Sequence, residues 1–240
     1  NTSDISNVVD IVNRRKEKLF REFMYKNFPK EKILQILPLF SERNDSKIKK
    51  MVSESATVPT IFEYIVGIAW FYLSSEKFYI TKSLNLTLDG NMLPLTHAAG
   101  GEGDIIIDYS KSTLMLEVTL MNKHAQKRGE WEPVLRHATN LTVDKKPIEV
   151  ITLFIADELD DNTVNIWRAI STVPLKSSNK DEYAQNVKVF PLNIKNLIYM
   201  LQNEQDEQLL LKNIKSSYDE YFRNFDLSWR DEIMFDSKIK

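Results

Sequence analysis

The chain contains no cysteine. Disulfide scaffolds, thiolate zinc sites and cysteine nucleophiles are therefore excluded, and cytoplasmic residence fits. Only 6 glycines and 8 prolines occur in 240 residues, too few for a turn-rich all-β chain. No run approaches the roughly 18 apolar residues of a membrane span, and no signal-peptide pattern opens the chain. Neither sign of charge dominates: 32 basic side chains stand against 34 acidic ones, net −2. Nucleic acid is not held here by bulk charge alone. The first residue is Asn1 rather than methionine, which reads as a fragment or a processed product.

What is present is an ordinary globular composition, 42% hydrophobic and 28% charged. It suits one large domain, or one domain with a helical appendage. Apolar spacing predicts a helix over 4–28, a second started by Pro29 and ended by Pro38, a short basic helix over 47–53, and a helix over 57–74 that is apolar nearly all round. Strand alternation follows at 84–88, with an Asp89-Gly90 turn. Two β-rich runs, 104–108 and 113–121, flank a hairpin turn. A helix over 123–141, a doubly covered strand over 147–156, a helix over 161–172, a strand over 187–190 and helices near 193–203 and 205–225 complete the order. The expected fold is α/β: a mixed β-sheet core flanked by helices, with extra helices at both ends. The chain divides into an N-terminal helical segment (1–56), a core (57–192) and a C-terminal helical segment (193–240).

The chemistry concentrates around the hairpin. A two-residue loop at Ser110-Lys111 places Asp104 opposite Glu117. Facing carboxylates repel, and a divalent cation between them removes that cost. Acidic oxygens suit a hard ion such as Mg²⁺. Leu114, Leu116, Val118 and Leu120 form a core face, while Met115, Glu117, Thr119 and Met121 point the other way. Gly100, Gly101 and Gly103 let the backbone approach a bulky or anionic partner just before Asp104. An exposed hairpin whose two acids face water would present the same residues.

Downstream, Gln126, Glu130 and His137 share one helical face, and Pro133 over Gly129 predicts a kink. Six Lys/Arg against three Asp/Glu between 121 and 147 suit either a solvated face or phosphate contacts, from Lys123, Arg128 and Arg136 among others. Glu63 lies in the most apolar helix. It reads as one end of a Thr60–Glu63 capping box, or as a third carboxylate reaching the cation site.

Gly103-Asp104 followed by Glu117-Val118-Thr119 resembles the core of PD-(D/E)xK nucleases. The LEVTL strand followed by QKRGEWEPVLRH resembles, more narrowly, the cleavage domain of AlwI-type type IIS restriction endonucleases and their nicking relatives. The likeness covers roughly residues 60–140. It implies a restriction-endonuclease-like fold, with residues 57–192 as the nuclease core. It implies Mg²⁺-dependent phosphodiester hydrolysis of double-stranded DNA, and a DNA-recognition domain or subunit outside this chain. By motif, Asp104 and Glu117 are metal ligands with the Val118 carbonyl a third. Glu63 is the helix carboxylate, and Glu130 and His137 are further polar members. One position departs: the usual lysine is Thr119, which carries no charge. Glu130, His137 or a second metal is left to fill that role.

Two alternatives remain open at this level. One is a non-catalytic interaction or dimerisation module on the same fold. The other is a small phosphate-ester hydrolase, disfavoured by the absence of a Walker-type string or paired-His motif. One site cuts one strand, so double-strand cleavage needs a dimer or a partner subunit. Phe71, Tyr72, Trp131 and Trp167 are expected in the core, as are the apolar residues of the C-terminal helices.

Overall fold

Every residue from Thr60 to Phe71 is buried, as an all-round apolar helix requires. That helix, α4 (Val58–Leu73), is the spine of the fold in a computed structural model that describes residues 2–97 and 103–220. The expected glycines Gly100 and Gly101, and positions 221–225 of the last helix, lie outside those residues. Before α4 come α1 (Thr2–Asn27), α2 (Lys30–Ser41) and α3 (Asp45–Met51). After it come α5 (Ile80–Ser83) and the strand pair β1 (Leu86–Leu88) and β2 (Pro94–His97), then the hairpin β3 (Ile105–Asp108) and β4 (Ser112–Thr119). The chain continues through α6 (Lys123–Gly129), α7 (Trp131–Asp144), β5 (Glu149–Ala156), α8 (Asp161–Ile170) and the short pair β6 (Leu175–Lys176) and β7 (Tyr183–Ala184). It ends with β8 (Lys188–Asn193), α9 (Ile194–Gln202) and α10 (Glu207–Glu220).

The main sheet has the order β3-β4-β5-β8. β3 and β4 are antiparallel, while β4, β5 and β8 run parallel, so the sheet is mixed. The hairpin has the expected register: Ile105 faces Leu116, and Asp108 faces Thr113. Leu114, Leu116 and Val118 join the core beneath α4, whereas Met115 belongs to a second cluster beneath α7. Helices thus cover both faces, which explains the unbroken burial of β5 beyond Glu149.

Several expectations are corrected. Pro38 does not end α2, which runs on to Ser41. A proline removes one helical hydrogen bond, and the burial of Leu37, Leu39 and Phe40 outweighs that loss. Pro147 and Ile148 belong to a turn before β5, where the Ile148 N–H donates to the Lys145 carbonyl at 2.8 Å. The anticipated kink near Pro133 is a full break, with α6 ending at Gly129 and α7 starting at Trp131. Trp131 is 40% exposed rather than core, while Phe71 and Trp167 are fully buried and Tyr72 partly so. In the C-terminal helices Leu197, Leu201, Leu211 and Ile214 are buried, but Leu209 faces solvent. Among the described residues no helix is long and apolar enough to cross a membrane.

One polar knot fixes α4 along the hairpin. The Tyr109 hydroxyl accepts from Trp70 Nε1 at 3.0 Å and is hydrogen-bonded to Ser74 Oγ at 2.7 Å. Nearby, Glu76 accepts from the Ser110 N–H at 2.6 Å and from its hydroxyl at 3.0 Å. From Ser74 back to Glu63 the helix rises about 16 Å. From Tyr109 back to Asp104 the strand runs about 16 Å. The knot at the hairpin turn therefore sets Glu63 level with the hairpin's open end. Tyr109→Phe leaves Trp70 Nε1 and Ser74 Oγ without this partner in a buried place. It should lower the unfolding free energy by about 1–3 kcal/mol in urea titrations.

Candidate functional site

β3 begins one residue too late to pair with the last part of β4. Asp104 occupies the space this leaves. Its Oδ2 accepts the Val118 N–H at 2.8 Å, replacing the missing strand bond with a carboxylate. A strand residue presents its N–H and C=O to the same neighbour, so the Val118 carbonyl faces the same gap. Gly103 is needed immediately before. A β-carbon there would lie 2.4 Å from Met115 Sδ and 3.2 Å from Glu117 Oε1. The close approach that this glycine permits is to the chain's own strand, not to the external partner expected for it.

Glu117 projects toward α7. It is 8% exposed, and its Oε1 is hydrogen-bonded to His137 Nδ1 at 2.8 Å. Glu63 comes from α4 on the other side and is 3% exposed. Its capping-box reading is overturned: Thr57 caps α4, its hydroxyl accepting from the Thr60 N–H at 3.3 Å, and Glu63 lies beyond the first turn. Glu130 stands at the α6–α7 break, where its Oε1 accepts from Thr119 Oγ1 at 3.2 Å. The break thus turns Glu130 back toward the end of β4.

Gln126 does not join this group. Its amide nitrogen donates to the Met121 and Glu158 carbonyls at 2.8 and 2.6 Å, tying two loops together. The structure does bring in a residue that sequence reasoning missed, His97 at the end of β2. Its Nδ1 is 2.8 Å from Glu63 Oε2. The only available signal was its place as one of 3 histidines, just before the glycine-rich stretch. Lys123 and Arg128 are exposed on α6, and Arg136 on α7 is paired with Glu132 at 3.1 Å.

The electrostatics follow from this crowding. Burial, then the charges of Asp104 and Glu117, push the Glu63 carboxyl up to about 9. Burial and the Glu117 charge raise Asp104 to about 7, against the Val118 N–H. Burial also raises Glu117 and Glu130, opposed by His137 in the first case and by Thr119 in the second. The hydrogen bond to Glu117 raises His137. Glu63 Oε2 is buried with no hydrogen-bond partner, although His97 lies beside it. Oxygen and imidazole donors of Glu63, His97 and Asp104 lie within 4.8 Å of one another. Glu117 stands outside that trio, turned to His137. A buried carboxylate oxygen without a donor, beside further oxygen and nitrogen ligands, fits a divalent cation.

Without a cation, the shifted carboxyls make stability depend on pH in a defined direction. Glu63 titrates near 4.3 when unfolded and near 9 when folded. Between those values the folded chain holds the extra proton, so stability falls as pH rises. Glu63→Gln removes this dependence. In EDTA its stability relative to wild type should increase from pH 5 to pH 8 in parallel urea titrations. A constant difference would show that Glu63 is not proton-linked to folding.

This arrangement can be compared with known proteins. The chain's fold matches the small subunit (R.BspD6I2) of the heterodimeric restriction endonuclease R.BspD6I at a TM-score of 0.51 and 24% identity, over 78% of this chain and 92% of that one. A search of curated proteins finds no match. The AlwI restriction endonuclease family profile matches residues 1–200. Covering most of the 240 residues and the whole acidic site, that match shows that the chain belongs to the AlwI restriction endonuclease family.

Proposed function

We propose that the chain is the DNA-cleaving part of a restriction or nicking endonuclease of the type IIS kind. It hydrolyses a phosphodiester to a 5′-phosphate and a 3′-hydroxyl with Mg²⁺. The observation that carries this reading is the acidic cluster beside β4: Asp104, held on the Val118 N–H, lies close to Glu63 and feels the charge of the neighbouring Glu117, and burial opposes the ionisation of all three. Asp104, Glu117 and the Val118 carbonyl would hold the cation, with Glu63 completing the set. Held by these residues, a Mg²⁺ ion would supply Lewis-acid chemistry, making water more acidic and offsetting charge on the phosphate.

The chain's own residues supply the rest. His137 holds Glu117 in one orientation through the 2.8 Å bond. Thr119 does not replace a lysine's charge; it aims Glu130 instead. Glu130, raised by burial, takes the proton of the attacking water. Lys123 and Arg128 on α6, with Arg136 once released from Glu132, contact backbone phosphates and fix the strand's register. The net charge of −2 leaves DNA capture to a recognition domain or subunit outside this chain. The structural neighbour is itself one subunit of a heterodimeric enzyme, which supports that division. A second cleavage site, from a partner or a second copy, would complete a double-strand cut.

Two experiments test this. With Mg²⁺, wild type should nick supercoiled plasmid, and Glu117→Ala should lower the rate at least about 10²-fold, the scale on which a transition-state contact acts. Absence of nicking by wild type, alone and with a recognition subunit, favours the interaction-module reading. Separately, Ca²⁺ or Mg²⁺ at 100 times its Kd should stabilise the folded chain by about 2.7 kcal/mol. Glu117→Ala should abolish that gain, and an unchanged melting temperature in wild type would remove the cation from the proposal.

A further inference from the structure

The oxygen ligands of the proposed Mg²⁺ site leave His97 unexplained. Two Glu–His contacts stand near each other with the same 2.8 Å separation, but they differ in direction. His137 and Glu117 are aligned as a hydrogen bond. His97 and Glu63 are not: Oε2 of Glu63 has no hydrogen-bond partner despite its buried position. A buried carboxylate oxygen left in this way is costly, and an adjacent imidazole would normally turn to meet it. A cation placed between the two would satisfy both donor atoms at once. An Asp104 carboxylate oxygen belongs to the same group, all three donors falling within 4.8 Å of one another. Ligands on opposite sides of a cation with bonds of about 2.1 Å are separated by roughly 4.2 Å, so a small contraction closes the set. His97 is free to make that movement, since its side chain is 51% exposed, whereas that of Glu63 is 4% exposed and fixed by α4.

We propose that Glu63, His97 and Asp104 form a second cation position, one that takes a nitrogen-accepting divalent ion such as Co²⁺, Ni²⁺ or Zn²⁺ in preference to Mg²⁺. The inference rests on the reading of these carboxylates as a cation site and adds to it a distinct position with its own selectivity. Imidazole suits the later first-row ions, while Mg²⁺ favours oxygen ligands and retains its waters. Asp104 and Glu63 are common to both positions, while His97 belongs to this one alone and Glu117 to the other. Asp104 lies between the α4 side, where Glu63 and His97 are, and the α7 side, where Glu117 is. The metal-ion preference of the chain is then set by β2, a strand outside the main sheet.

The test is metal binding by the full chain, stripped with EDTA. Co²⁺ is followed by its visible d–d absorption and Mg²⁺ by calorimetry. Wild type should bind Co²⁺ with a spectrum that reports a nitrogen ligand. His97→Ala and the bulkier His97→Gln should both weaken Co²⁺ binding about tenfold or more and alter the spectrum, while the Mg²⁺ dissociation constant changes by less than about twofold. Circular dichroism confirms that each variant is folded. The proposal is overturned if wild type binds no Co²⁺, if both variants bind Co²⁺ with unchanged affinity and spectrum, or if they weaken Mg²⁺ as much as Co²⁺. Glu117→Ala separates this inference from the nuclease reading. Loss of Mg²⁺ with retained Co²⁺ absorption supports both. Failure of wild type to bind Mg²⁺ sinks the nuclease reading, while the Co²⁺ spectrum still decides this one.

Discussion

Three carboxyl groups share one water-poor space at the open end of a hairpin, and the rest of the structure serves to keep them there. Left alone they would separate or stay protonated, since like charges in a low-dielectric environment repel strongly. The separation is prevented from both sides. The Trp70–Tyr109–Ser74 knot clamps α4 along the hairpin, and the Val118 N–H holds Asp104 in the gap beside β4. Protonation is the remaining response, which is why the upward shifts fall on Glu63, Asp104 and Glu117 together. The fold thus holds the acids in a cluster whose repulsion the proposed cation would relieve.

The hairpin was legible because its turn is short and its strands alternate. With two residues in the loop, register follows from counting, and the pairing of Ile105 with Leu116 is the one the count requires. The doubly covered β5 and the apolar α4 were legible for the same kind of reason, burial on all sides leaving no polar periodicity to misread. What escaped was decided by tertiary context. Pro38 within α2 is tolerated because its neighbours are buried. The Thr60–Glu63 spacing imitates a cap that Thr57 in fact supplies. Gln126 shares a face with Glu130 only if the helix is continuous, and it is not. His97 could not be found from spacing, because β2 meets α4 through a long-range contact that no local pattern encodes.

The break at Glu130 also bears on position 119, where the resembled motif has lysine and this chain has threonine. A continuous helix from Lys123 to Leu141 would hold Glu130 in a regular helical position. Ending α6 at Gly129 and restarting at Trp131 makes Glu130 a junction residue, within hydrogen-bond reach of Thr119. A lysine at position 119 would bring charge on a flexible stem. The threonine brings a short hydroxyl that donates to the Glu130 carboxylate, so the polar group beside position 119 comes from the helix junction instead. The substitution at one strand position and the helix break eleven residues later are parts of one arrangement.

The same logic separates the two histidines. His137 lies on α7, on the face of the sheet where Glu117 points, and its bond neutralises part of the repulsion that Glu117 would otherwise feel. His97 arrives from outside the main sheet, against the carboxylate that remains least satisfied. One histidine therefore restrains an acid to which it is hydrogen-bonded, and the other approaches an acid whose Oε2 accepts no hydrogen bond. The sheet edge between them is where Asp104 lies, so the site is built across the end of the sheet, with donors from both faces. Its geometry depends on the late start of β3. Had that strand begun earlier, a backbone carbonyl would face Val118, and the gap that gathers the acids would be closed.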